Sequence, residues 1–445
     1  MRRNNVAGFI FSIAIFALGF SNAMAGEIQG PYFLDNRNID RDPVTGIAVP
    51  PGFKATVFAD IDGYARHMAV RDDGTVYLAL TTRMGRGSNM GIVAMQDTNN
   101  DGIADVIERF ATNIPGTALQ FQNGYLYFGS KTAIYRFSFE GDNIAPAGSP
   151  EIVVDGFPVQ RLHEAKTFAI DDNNNLFVNV GAPSNACMEE FRTKGSPGQF
   201  PCPHLDVQAG IWKFSADKIN QTQFRDGMRV ATGVRNAVAL EWSREHQQVF
   251  FLTHGRDALF TLFPEYYTAE QSSELPSEEM HVLREGAHYG WPYSYYDHVQ
   301  NKRILAPEYG GDGAEEVGSG LYENPIATFP GHWAPNDMMF YKGRQFPEYF
   351  KNGMFVVWHG SWNRAPLPQD GYSVIFVPFR AGMPGDDWQY FANKFRGREL
   401  LENPADAVHR PTGIAEGANG EIYISSTVSG RVWKITYSGE QGSVL

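Results

Sequence analysis

The sequence predicts an all-β protein, a six-bladed β-propeller of four-stranded antiparallel blades, on three observations. First, one phrase recurs six times: a short apolar run, a polar turn, a second strand with an aromatic near its middle, then a loop and a third strand. The copies are ARHMAVRDDGTVYLAL, PGTALQFQNGYLYFGS, AKTFAIDDNNNLFVNV, RNAVALEWSREHQQVFFLTHG, NDMMFYKGRQFPEYFKNGMFVVWHG and RPTGIAEGANGEIYISS. Second, the aromatic falls at Tyr77, Tyr127, Phe177, Phe250, Phe355 and Tyr423, so the first three copies are spaced by 50 residues. Third, Asp-Gly, Asn-Gly and Asn-rich turns interrupt the alternation, as antiparallel hairpins require. Six hairpin units near one period suit blades that bury their faces against their neighbours. Two stacked β-sandwiches are the architectural alternative.

Residues 1–25, MRRNNVAGFIFSIAIFALGFSNAMA, read as a signal peptide: Arg2 and Arg3, an apolar run, then Ala23-Met24-Ala25 before the expected cleavage. A retained anchor is the other reading, but the run is short for a span. Residues 26–445 are expected to form a single propeller domain, with insertions around 264–298 and 307–320 where the period stretches. With 43% hydrophobic residues, 46 glycines and 26 prolines, the chain is folded and turn-rich. The formal charge is −13, and about −15 without the two leader arginines, which argues against nucleic acid or an anionic membrane as partner. Export also makes a Cys187–Cys202 disulfide the default reading of the two cysteines. There is no CxxCH for a c-type haem and no GxGxxG after a strand for a Rossmann dinucleotide site.

In a propeller, the loop entering each inner strand and the loop after each second strand open on one face, around the central channel. Arg66, His67, His163, Lys166, Arg235, Asn236, His332, His409 and Arg410 have the first phase. His254-Gly255-Arg256 and the stretch from His359 to Arg364 have the second. An acidic protein thus acquires a basic, His-rich mouth, which suits a compact anionic ligand and a histidine acting as base near neutral pH. A separate stretch, DTNNDGIAD, sets Asp97, Asn99, Asp101 and Asp105 around Gly102 like a calcium loop, but without the closing Glu of an EF-hand. A solvated polar turn is the competing reading. Trp212, Trp433 and Tyr135 are expected to fill space between blades, HYGWP (288–292) to line the site or form a packed turn, and the acids of ELPSEEM (274–280) to lie on a solvated surface.

The phrases GVRNAVALEW, EGAHYGWPYSYYDH, FVVWHGSWNRAP, RPTGIAEGANGEIYIS and NACMEEFRTKGSPGQFPCPHLDVQAGIWKF give the mature chain a resemblance to a known family. The chain resembles the soluble PQQ-dependent sugar dehydrogenases, in particular the L-sorbosone dehydrogenase branch. The resemblance implies a six-bladed propeller holding pyrroloquinoline quinone (PQQ), a tricarboxylate, over the channel, with Ca²⁺ on its quinone side. It implies His163 as the general base, and Arg235, Asn236, Arg364 and Arg410 as cofactor contacts. Main-chain carbonyls at Gly255 and Arg256 would serve the calcium. Two departures stand out: Leu162 precedes the base where better-known sugar oxidisers have Asp, and NIPGTALQF matches poorly an early glutamine-bearing loop. The implied function is a periplasmic quinoprotein dehydrogenase that oxidises a sugar or sugar-derived aldehyde and passes electrons to a separate acceptor. A calcium-dependent propeller lactonase and a non-catalytic binding propeller are the rival readings.

Overall fold

A computed structural model describes residues 39–82 and 89–439, all within one compact unit; the expected signal peptide, 1–25, lies outside the described residues. The period read from the sequence is the period of the fold. Blade one is built of strands Tyr64–Val70, Val76–Thr81, Gly91–Gln96 and Val106–Phe110, and blade two of Gly116–Gln122, Tyr125–Ser130, Ile134–Ser138 and Glu151–Asp155. Blade three uses Phe168–Ile170, Asn175–Val180, Gly210–Ser215 and Met228–Thr232, and blade four Ala239–Ser243, Gln248–Thr253, Glu278–Val282 and Ala327–Phe329. Blade five uses Pro335–Phe340, Gly353–His359, Tyr372–Arg380 and Gln389–Ala392. Blade six joins Pro411–Glu416, Ile422–Ser426 and Arg431–Tyr437 to the early strand Phe53–Asp60, which pairs antiparallel with Arg431–Tyr437 and closes the ring.

The six predicted aromatics all lie on second strands, five of them buried and Phe177 half-buried. Apolar clusters alternate with the blades around the ring. Phe58, Leu78, Val93 and Tyr423 join blades six and one, and Tyr77, Ala94, Leu126 and Phe128 join one and two. Tyr127, Leu176, Val178 and Trp212 join two and three, and Phe250, Met280, Phe329 and Trp358 join four and five. Each blade thus buries what its neighbour cannot cover alone. Among the described residues the α-helices are three short ones, and no helix is long and apolar enough to cross a membrane.

Two expectations need correction. The stretch 264–298 contains the third strand of blade four, Glu278–Val282, framed by two excursions. The second excursion turns back beside blade three, where Ala287–His288 pairs parallel with Ala231–Thr232, and then forms the hairpin Ser294–Asp297/Lys302–Leu305. ELPSEEM is therefore not a solvated surface, since Glu278 and Glu279 are 2% and 6% exposed. Their acid groups stay inside because they find partners there: Gly255 N and Ala334 N donate to Glu278, and Arg303 and His281 pair with Glu279. The disulfide Cys187–Cys202 forms within the long loop between the second and third strands of blade three.

Candidate functional site

His163 precedes the inner strand of blade three and has φ +52, a left-handed conformation that costs a non-glycine residue energy and needs external support. Gln160 supplies it, placing its amide Nε2 2.7 Å from the Leu162 carbonyl, 2.9 Å from that of His163 and 3.0 Å from that of Gly181. Position 181 must be glycine: a Cβ there would stand 2.6 Å from the His163 Cβ and 3.0 Å from Asn236 Oδ1. His163 Nδ1 lies 2.6 Å from the Ala182 carbonyl oxygen. A carbonyl only accepts, so Nδ1 carries the proton and Nε2 keeps its lone pair. The carbonyl orients the ring. Burial, then the Arg235 charge, holds His163 well below the usual histidine range, so the imidazole is neutral at pH 7.

Arg235 and Asn236 enter blade four beside it, and both are buried. Arg235 Nε donates to the Asn185 carbonyl at 3.1 Å, and its Nη2 to Asn185 Oδ1 at 3.0 Å and Asp257 Oδ2 at 3.2 Å. Main-chain bonds stitch the pair to both neighbouring loops, from Ala182 N to the Arg235 carbonyl at 2.7 Å and from His254 N to the Asn236 carbonyl at 2.9 Å. Asp257 is the hub. Its Oδ2 also takes Arg192 Nη2 at 2.7 Å, its Oδ1 takes Asn363 Nδ2 at 2.8 Å, and His332 Nδ1 is 4.0 Å away. Burial alone would raise Asp257, but Arg235, His332 and Arg192 hold it well below the usual carboxylate range.

The other mouth residues divide into those that face the channel and those that do not. His254 Nε2 and His359 Nδ1 sit 2.8 and 3.0 Å from the carbonyls of Pro335 and Pro411, so both rings are fixed as His163 is. Burial pushes His254 down to about 4 and His359 well below its usual range; the charges of Arg410 and Arg66 act further on His359. Arg410 Nε donates to the His359 carbonyl at 3.2 Å, and its guanidinium lies 5.4 Å from the Tyr372 ring centroid. Arg66 is pushed down to about 10 by burial, and its Nε has no hydrogen-bond partner among the described residues. Lys166 is fully buried, donates to the Glu164 carbonyl at 2.8 Å and is pushed down to about 8 by burial. Arg364 is committed to Glu274, with an Nη2–Oε1 contact of 2.5 Å, and to the carbonyls of Ser273 and Gly331. His409 leaves the expected ring: on the loop that crosses from blade five into the inner strand of blade six, it bonds Ser429 at 2.8 Å and packs edge-on against Trp433.

At the metal position, Gly255 N donates to buried Glu278 Oε2 at 2.9 Å, while the Arg256 guanidinium turns away into a buried ion pair with Glu308. Among the described residues no hydrogen bond is made to the carbonyl oxygens of Gly255 or Arg256. They are available to a hard cation, whose ligands are oxygens. At the second candidate, Asp97 caps Asp101 N at 3.1 Å and Gly102 N at 2.9 Å, Asn99 caps Asp101 N at 2.9 Å, and Asp105 bonds Thr98 N at 2.9 Å. Those oxygens serve the turn's own main chain. Among the described residues no group of three or more His, Cys, Asp or Glu side chains is arranged to hold a metal. A cavity of about 380 Å³ follows the channel below the mouth, lined by inner-strand residues of all six blades, His67, Glu241 and Asp337 among them.

Sequence phase missed Asp257, Glu278, Asn185, Arg192 and Gln160. Asp257 was within reach, one residue beyond the phase-matched His254-Gly255-Arg256. Asn185 and Arg192 lie in an aperiodic loop, where no spacing marks them.

Fold and mouth together define a six-bladed propeller whose channel opens on a cationic, histidine-lined site suited to a compact anion. The chain belongs to the TrAA12-like family, whose profile matches residues 47–438. It is 32% identical over 169 residues, 33% of this chain and 22% of the relative, to a pyrroloquinoline quinone-dependent pyranose dehydrogenase of Coprinopsis cinerea. The chain spans less than two thirds of the curated relatives it matches first, 61% of one and 22% of the other. In fold it is similar to the holo PQQ domain of the Coprinopsis cinerea pyranose dehydrogenase, with TM-score 0.68 and 18% identity over 88% of this chain and 97% of that one. It is also similar to a Trichoderma reesei protein of carbohydrate-active enzyme family AA12, with TM-score 0.72 and 14% identity over 90% of this chain and all of that one.

Proposed function

We propose that this chain is a periplasmic quinoprotein dehydrogenase that oxidises a sugar or sugar-derived aldehyde, sorbosone-type aldehydes included, with PQQ and Ca²⁺ bound at the mouth. The observation that carries the reading is His163, a neutral imidazole with a free Nε2 beside the buried cation Arg235 in an acidic chain. The residues fit the group. Arg66, Arg235 and Arg410 suit a compact polycarboxylate, and the unengaged carbonyls of Gly255 and Arg256 suit calcium. When bound, the quinone accepts the hydride and calcium polarises it.

The remaining work falls to the chain. His163 Nε2 takes the substrate hydroxyl proton as the hydride leaves, while Nδ1–H stays on the Ala182 carbonyl. Arg235, locked by Asn185 and Asp257, keeps a fixed positive charge where negative charge develops, with no reorganisation at the moment of reaction. Glu278 anchors the Gly255 peptide and also accepts Ala334 N at 3.1 Å, which ties the calcium position to the entry of blade five. Electrons then pass to a separate acceptor. Absorption titration of the mature protein with PQQ, with and without Ca²⁺, tests the reading, followed by dye reduction over a sugar panel. Saturable, calcium-dependent binding is expected, weakened about tenfold or more in Arg235→Met through loss of a charge-assisted hydrogen bond. A wild-type protein that fails to bind PQQ in either condition sinks it.

A further inference from the structure

We propose that Asn179 is a positioning residue that sets the side-chain amide of Asn236 so that its Nδ2 donates at the mouth; this rests on the mouth holding PQQ. Asn179 stands on the second strand of blade three, Asn175–Val180, and is fully buried. Its main chain and side chain are both committed. Asn179 N donates to the Thr167 carbonyl at 2.9 Å, and Thr167 Oγ1 donates onward to the Ala237 carbonyl at 2.7 Å. Ala237 N returns a hydrogen bond to Asn179 Oδ1 at 3.0 Å.

That last bond fixes the sense of everything beyond it. A peptide N–H only donates, so the Asn179 atom that faces Ala237 is the oxygen, and the amide nitrogen points the other way. Its two N–H groups meet two acceptors, Asn236 Oδ1 at 3.4 Å and the Ala165 carbonyl at 3.5 Å. The Ala165 carbonyl only accepts, which agrees with that assignment. Facing a donor, Asn236 presents its own oxygen, and this lies on the blade-three side against Gly181, where a Cβ would stand 3.0 Å from it. Asn236 Nδ2 therefore turns away from Asn179. Among the described residues it makes no hydrogen bond, although Asn236 is only 4% exposed.

A buried amide donor without a protein acceptor costs stability unless a ligand supplies the oxygen. PQQ carries carbonyl and carboxylate oxygens and meets that need. The same Asn179 amide holds Ala165, two residues after His163, so one side chain spaces the base entering blade three from the donor entering blade four. The asparagine pair thus relays a donor sense from the Ala237 main chain to the mouth.

Asn179→Asp keeps the shape and the bond from Ala237 but puts an acceptor against Asn236, whose amide should rotate and turn Nδ2 inward. NMR of the mature protein isotopically labelled at asparagine, without PQQ, reads the two side-chain amides directly. In the wild type the Asn236 amide should exchange with solvent about tenfold or more faster than that of Asn179, and in Asn179→Asp it should become protected. Absorption titration with PQQ and Ca²⁺ is the second arm: affinity should fall about tenfold in Asn179→Asp, with little further loss when the same change is made in Asn236→Ala. A purely structural role would cost the same factor in both backgrounds. The proposal is overturned if the wild-type Asn236 amide is as protected as that of Asn179, a comparison that needs no variant to fold. It is equally overturned if Asn179→Asp weakens binding by the same factor with and without the Asn236 side chain. A wild type that binds no PQQ while its Asn236 amide exchanges fast supports the positioning and rejects the cofactor reading instead.

Discussion

His163 shows how one side chain is prepared by its surroundings. Its backbone sits in a left-handed conformation held by the Gln160 amide, its tautomer is fixed by the Ala182 carbonyl, and its neutrality follows from burial beside Arg235. Of the two ring nitrogens, only Nε2 keeps a lone pair able to accept a proton. Replacing His163 by Gln keeps a polar side chain of similar reach but removes the base. Turnover should fall by about 10² to 10⁴-fold. PQQ binding, followed by absorption, should be nearly unchanged, because the cations that suit the cofactor's carboxylates stay in place. Equal loss of binding and turnover would make His163 a structural residue.

At the scale of elements, the strand Phe53–Asp60 has the largest consequence for its length. It supplies the outer strand of blade six by pairing with Arg431–Tyr437, and its Phe53 ring packs 4.8 Å from Phe346, 5.4 Å from Phe350 and 5.2 Å from Phe391. The first strand of the described residues thus joins the last blade, and the ring closes by hydrogen bonds rather than by a covalent link. Removing residues up to Asp60 would leave a three-stranded blade with an exposed edge and an uncovered aromatic cluster. Size-exclusion chromatography should show association, and the thermal transition should lose amplitude and cooperativity. A monomer that melts like the full chain would mean that closure does not depend on this strand.

Across the whole molecule, the histidines set an acid limit. His67 is pushed down to about 3 and His254, His288 and His409 to about 4, with burial the first cause in each, and His163, His332 and His359 are also lowered. Below pH 6.5 the unfolded chain binds protons at these positions that the folded chain refuses, so stability falls as pH drops. Burial pushes Glu241 and Glu278 up to about 7 and also raises Asp337 and Glu416, and these take up protons in the folded state over the same range, with the opposite sign. The seven histidines outnumber the four carboxylates. The melting temperature should therefore decline from pH 7 to pH 5, and His67→Gln should make that decline shallower. A melting temperature that rises on acidification would put the carboxylates in control.

The blade count and the place of the six second-strand aromatics were legible in the sequence because a hairpin is local: alternation and turn chemistry lie within about twenty residues. The convergence of His163, Arg235, His254 and Arg410 was legible too, since a closed ring converts phase along the chain into position around an axis. Phase failed where a loop leaves the ring. His409 shares the phase but packs on Trp433, and the third strand of blade four was hidden between two long excursions. Asp257 and Glu278 read as ordinary acids until Arg192, Asn363, Gly255 and Ala334 arrive from other loops to meet them. By itself the sequence determined the repeat, the closure into blades and the cationic character of the mouth, all consequences of short-range pattern. Tertiary structure alone decided which charges are neutralised, which nitrogen of His163 is free and which aromatics stay uncovered, because each depends on groups far apart in the chain that only packing brings within a few ångströms.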